Sequence, residues 1–130
     1  MRKKKVIIID DEKLFLKIIK INLERTGSYE VETVSDATDI LSLIRSFNPD
    51  IILLDILMPK IDGVETCKML NADPVGKRIP VVVLSAFDTD KARLMMHKLG
   101  VADFLIKPIG MDELISGIEK ALKRKPRLTS

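Results

Sequence analysis

The sequence predicts an α/β protein, a doubly wound five-stranded parallel sheet with helices on both faces. Three observations carry that prediction. Short continuous apolar runs at residues 6–9, 51–54 and 81–84 alternate with longer amphipathic segments. Runs that are apolar on both faces are what strands covered on both sides require. A helix-length segment follows each run, so the strands pair in parallel through right-handed crossovers.

The first strand is the run at 6–9, which ends on Asp10-Asp11. Leu14, Phe15, Ile18, Ile19 and Leu23 then recur at helical spacing, with Lys13, Lys17, Lys20 and Glu24 opposite. Thr26-Gly27-Ser28 stops that helix. Residues 29–34 alternate, with Tyr29, Val31 and Thr33 against Glu30 and Glu32, as a sheet-edge strand does. Ser35 can cap a helix to about Phe47, and Asn48-Pro49 marks a break. The third strand, 51–54, runs into Asp55. Asp62 with Glu65 three residues on reads as a capping box for a helix to about Asn71. Residues 72–80 read as a loop, and 81–84 as the fourth strand. Asp88 or Thr89 can start a helix that Gly100 ends. Residues 103–106 form the fifth strand, and a last helix runs from Met111 to about Lys123.

Composition bounds the rest. A chain of 130 residues fits one domain with its own core. Aromatics make up 4% and Trp is absent, which argues against a stacking platform for single-stranded nucleic acid. The net charge of +3 comes from the ends: without the eight basic residues at 2–5 and 123–127, 14 bases face 19 acids. A folded body of net −5 gives no direct nucleic-acid surface, and such tails are most simply solvated. Cys67 is the single cysteine, so no internal disulfide forms, which fits a reducing compartment. The start resembles a signal peptide in its charges, but its apolar run is four residues long and meets two acids. No apolar run approaches membrane length, so a cytoplasmic protein with no membrane association is expected.

In doubly wound sheets, ligands sit at the carboxyl ends of the strands. Asp10, Asp11, Asp55, Ser85 and Lys107-Pro108 all fall at that edge. Three gathered carboxylates repel one another unless something compensates. Mg²⁺ relieves the conflict, since it takes a few carboxylates and keeps several waters. Lys107 adds a fixed positive charge and Ser85 a hydroxyl. Together these groups make a phosphoryl site in which a carboxylate can act as nucleophile. Neither GxxxxGK[ST] nor GxGxxG occurs, so a P-loop and a dinucleotide fingerprint are excluded.

At this point the sequence resembles the receiver domain of two-component response regulators, of the chemotaxis-regulator kind. The likeness rests on Asp10-Asp11, on DILMPKIDG around Asp55, on Ser85-Ala86 and on Lys107-Pro108. The separations are 30 residues from Asp55 to Ser85 and 22 from Ser85 to Lys107. The resemblance implies a flavodoxin-like strand order 2-1-3-4-5, with the domain over residues 1–122. Residues 123–130 would be a basic tail or the start of a linker. It implies that Asp55 is the phosphoacceptor and that Asp11 and Asp55 bind Mg²⁺ directly, with Asp10 acting through water. The backbone carbonyl of Leu57 would be a further ligand. Ser85 and Lys107 would bind phosphoryl oxygens, Ser85 and Phe104 would be the switch pair, and Lys107-Pro108 would be a cis peptide. Pro59 and Gly63 would shape the turn after the acceptor. Partners would be a sensor histidine kinase or a histidine phosphotransfer protein, and downstream a protein target or fused output domain. A phosphorylation-dependent dimer through the last two helices is compatible with this picture. So is either a stand-alone regulator or a receiver cut from a longer chain.

Two other functions are weighed against this switch. A haloacid-dehalogenase-type phosphatase also uses a strand-end Asp, a Lys and Mg²⁺. It needs a general acid two residues past the nucleophile, where Leu57 stands and cannot donate a proton. A pseudo-receiver used only for assembly would lack a key residue, and none is missing. The expectation is therefore a signalling phosphoprotein, not an enzyme beyond its own phosphorylation and slow dephosphorylation. Leu57 and Phe87 would flank the in-line approach of water, and neither can orient it, so the phosphorylated state would be long-lived. The alternative is that Phe87 points into the groove beside the fourth helix. Read alone, Phe104 is a core residue, His97 a surface residue, and Cys67 and Met58, Met69, Met95 and Met96 packing residues.

Overall fold

The computed structural model describes residues 2–56 and 62–124. Among them, strands and helices alternate as β1 (Lys4–Ile9), α1 (Lys13–Arg25), β2 (Tyr29–Val34), α2 (Ile40–Phe47), β3 (Ile51–Asp55), α3 (Gly63–Ala72), β4 (Val81–Ser85), α4 (Asp90–Lys98), β5 (Asp103–Ile106) and α5 (Met111–Lys123). All strand pairings are parallel, in the order β2-β1-β3-β4-β5. This is the doubly wound, flavodoxin-like order expected from the sequence. Leu57, Met58 and Pro59, with the tail at 125–130, lie outside the described residues.

The continuous apolar runs become central strands because their side chains feed two cores. Val6, Ile8, Ile51, Leu53, Val82 and Leu84 face α1 and α5. Ile7, Ile9, Ile52, Leu54, Val81 and Val83 face α2, α3 and α4. Each fully buried side chain of this kind contributes roughly 1.5–3 kcal/mol of transfer free energy. β2 is an edge strand, with Tyr29 and Val31 buried and Glu30 and Glu32 exposed.

Three local readings need correction. The helix expected from Ser35 begins at Ile40. The Asp36 carboxylate instead accepts from the Thr38 N–H at 2.9 Å, and this side-chain turn occupies the segment. The end of α2 fits the expected break, since Asn48 takes a left-handed cap conformation at φ 58°. In α1 the buried face is Leu16, Ile19 and Leu23 with Phe15 beside them, while Leu14 is 71% exposed and Ile18 47%. The apolar stripe of α1 is wider than the part the sheet covers. The segment read as the loop at 72–80 contains a turn of 3-10 helix at Gly76–Arg78, tied by Asp73 to the N–H groups of Val75 and Gly76.

Caps elsewhere agree with the reading. Asp62 accepts from the Glu65 N–H at 2.9 Å and Thr89 from the Ala92 N–H at 3.1 Å. No helix among the described residues is long and apolar enough to cross a membrane.

Candidate functional site

The sheet changes winding direction between β1 and β3, and Ile9 pairs with Leu54 there. The next residues, Asp10 and Asp55, therefore end neighbouring strands at the switch point. Asp10 is fully buried, Asp55 is 7% exposed, and Asp11 faces solvent. One carboxylate oxygen from each of the three lies within 4.8 Å of the others.

Lys107 follows β5, and its N–H donates to the Ser85 carbonyl at 2.7 Å. Its side chain, 12% exposed, reaches across to Asp10 Oδ2 at 2.6 Å. Burial lowers the Lys107 pKa, but its bond to Asp10 and the charges of Asp10 and Asp55 outweigh that and raise it above the ordinary lysine value. The other Asp10 oxygen accepts from the Glu12 N–H at 2.9 Å. Both oxygens of Asp10 are thus engaged, whereas Asp11 presents its carboxylate to solvent. The Lys107–Pro108 peptide is cis.

Ser85 is buried at the end of β4, and its hydroxyl turns back on the next loop. It accepts from the Phe87 N–H at 3.0 Å and lies 3.1 Å from the Phe87 carbonyl, to which it donates. Phe87 itself is 56% exposed and belongs to neither core. Phe104 is half-buried, packs on the α2–α4 side of the sheet, and carries the Arg93 guanidinium 4.9 Å from its ring centroid. His97 is exposed on α4, Cys67 is buried, and Met96 is buried while Met95 is exposed. The proposed backbone ligand at Leu57 lies outside the described residues.

The structure also adds two groups. Glu12 Oε1 lies 3.3 Å from the Lys107 ammonium, and the Phe15 ring centroid lies 4.3 Å from it. The sequence holds a weak sign of the first in the acid run Asp10-Asp11-Glu12. It holds none of the second, because Phe15 also fits the apolar stripe of α1.

The donor set fits a hard divalent cation. All three atoms are carboxylate oxygens, two come from buried side chains, and their spacing brings like charges together with one ammonium to balance them. Carboxylates, an ammonium and a hydroxyl at one sheet edge suit a phosphoryl group.

Residues 6–119 match the response regulator receiver domain family. The chain is 34% identical over 121 residues to the alkaline phosphatase synthesis transcriptional regulatory protein PhoP of Bacillus subtilis (strain 168). That match covers 93% of this chain and 49% of PhoP, so the chain spans about half the length of this curated relative. Its fold is similar to a putative response regulator from Chloroflexus aurantiacus J-10-fl, with TM-score 0.87 and 28% identity over 95% of this chain and all (100%) of the other. It is also similar in fold to the chemotaxis protein CheY4 of Vibrio cholerae, with TM-score 0.86 and 24% identity over 92% and 99% of the two chains.

Proposed function

The chain belongs to the response regulator receiver domains, a family of phosphorylatable signalling switches, and on that premise we propose that Asp55 is its phosphoacceptor. The observation that carries this reading is the meeting of Asp10, Asp11 and Asp55 within 4.8 Å at the switch point, with Lys107 bonded to Asp10. Receiver domains bind Mg²⁺ at an acidic pocket of this kind. Here Asp11 and Asp55 would hold the ion directly and Asp10 through water, in keeping with its two engaged oxygens. The Leu57 carbonyl would complete the protein's share. The bound ion would supply positive charge to the phosphoryl oxygens and remove the repulsion among the acids.

Asp55 closes a strand buried on both faces, and that rigid support would position its carboxylate for in-line attack on phosphorus. Its carboxylate oxygen forms the new P–O bond while the donor's bond to phosphorus breaks and its group leaves. Lys107 and Ser85 would bond the phosphoryl oxygens, for which the Ser85 hydroxyl must give up the bond it donates to the Phe87 carbonyl. That turn, with Phe104 on the adjoining strand, is the switch that alters the partner-binding surface. The donor would be a sensor histidine kinase or histidine phosphotransfer protein, and the recipient a protein target or fused output domain. The domain would catalyse only its own phosphorylation and slow dephosphorylation.

Labelled acyl phosphate with and without Mg²⁺ tests this reading. Wild type is expected to accumulate label only with Mg²⁺, and Asp55→Asn to accumulate none. Stoichiometric label on the Asn variant refutes the assignment. Decay of the same label tests the expectation that Leu57 and Phe87 would keep water from the phosphorus. Leu57→Asn with Phe87→Glu should shorten the lifetime by ~10-fold, or about 1.4 kcal/mol. Equal decay in both proteins rejects that expectation.

A further inference from the structure

Lys107 is held by more than the acids at the strand ends. Its ammonium has three N–H donors and no acceptor. Asp10 Oδ2 lies at 2.6 Å, Glu12 Oε1 at 3.3 Å and the Phe15 ring centroid at 4.3 Å. Two carboxylates and one ring face therefore surround the charge. Glu12 is the cap residue of α1 and Phe15 stands in its first turn, three positions on, so the two share one side of the helix start. Phe15 packs against the α1–α5 core, which fixes its ring. The Glu12 side chain is 66% exposed, so its attraction is screened by solvent.

Resting on the reading of Asp55 as phosphoacceptor, we propose that Glu12 and Phe15 are positioning residues, which hold the Lys107 ammonium at the start of α1 until a phosphoryl group draws it off. A phosphoryl oxygen on Asp55 would compete with the contacts on the α1 side for the three N–H donors of Lys107. The strength of that hold sets how readily the lysine serves the incoming group. Neither residue touches the phosphoryl group. Both act through Lys107.

Two readouts test the hold. In the unphosphorylated protein, the Lys107 ε-methylene protons should show upfield ring-current shifts in the NMR spectrum. Phe15→Leu should return them to ordinary lysine positions. With labelled acyl phosphate, Glu12→Gln should load about three-fold faster than wild type at low salt. The gain should fade in 1 M salt, where the Debye length is about 3 Å. Phe15→Leu changes no charge, so faster loading in that variant separates release of the lysine from reduced repulsion toward an anionic donor. Unchanged ε-proton shifts in Phe15→Leu overturn the proposal, and so do unchanged loading rates in both variants. An unlabelled wild type would instead defeat the Asp55 reading, and the NMR comparison alone would then decide whether the hold exists.

Discussion

Gly63 opens α3 with its N–H donating to the Ile56 carbonyl at 2.7 Å. A Cβ built there would stand 2.6 Å from Ile56 Cα and 3.1 Å from the Asp55 carbonyl oxygen. Those are backbone atoms, which cannot swing aside as a side-chain tip can. Gly63→Ala is therefore expected to destabilise the fold by about 1–3 kcal/mol, the cost of overpacking a tight site. Urea denaturation measures it, and an unchanged midpoint would show that the backbone yields freely. Because the displaced atoms belong to Asp55 and its neighbour, labelling should slow as well. The family resemblance pointed to Gly63 as a turn residue, and the sequence itself made the strand-end acids legible, since an acid after a buried apolar run has no packing reason to be there. Beyond the weak sign of Glu12 in the acid run, neither Glu12 nor Phe15 was legible as a partner of Lys107. A contact between residues 95 apart in the chain leaves no local pattern.

At the scale of elements, the helices differ in how much their own sequence decides. α5 was legible at both ends because its apolar face and its boundaries fall together. The start of α2 was not, because Ser35 and Asp36 offer competing local hydrogen bonds and only Asp36 is used in a turn. The exposed side of α1 was misread because periodicity gives a stripe's direction but not how much of it the sheet covers. Beside its apolar packing, α5 has a polar tie to the sheet that spacing cannot reveal. Glu119 accepts from the buried Tyr29 hydroxyl on β2 and pairs with Lys4 on β1 at 2.6 Å. The bonds from Lys4 and Tyr29 hold the Glu119 pKa below its ordinary 4.5. A depressed carboxylate stabilises the fold above the unfolded value and loses that contribution as pH falls through the lower folded value. Stability should therefore drop as the solution is acidified below 4.5, and Glu119→Gln should flatten that part of the curve. Tyr29→Phe should cost about 1.5–3 kcal/mol at neutral pH, as for a hydrogen bond to a charged acceptor. Urea midpoints between pH 3 and 7 check both, and parallel curves for wild type and Glu119→Gln would remove the tie from the account.

At the scale of the whole molecule, the two apolar cores stabilise the fold while one sheet edge concentrates like charge. Asp10 and Asp55 are buried there beside Asp11, with Lys107 as the balancing cation on Asp10. The fold tolerates the repulsion because the cores on both faces of the sheet outweigh it. A cation that binds this edge only when the chain is folded adds stability in proportion to its excess over the dissociation constant. Mg²⁺ at ten times that constant should add about 1.4 kcal/mol and raise Tm by several degrees. The gain should shrink as pH falls, since protonated carboxylates are poor ligands. Asp11→Asn should abolish most of it, because Asp11 is the acid whose carboxylate stands open to solvent. Asp10→Asn should reduce it less, since both Asp10 oxygens already serve Glu12 and Lys107. Without Mg²⁺ the order should reverse, with Asp11→Asn as stable as wild type or more so, because one of three crowded charges is gone. Calorimetric scans of the three proteins with and without Mg²⁺ decide the matter. If Mg²⁺ raises the Tm of Asp11→Asn as much as that of wild type, the three acids do not form one cation site.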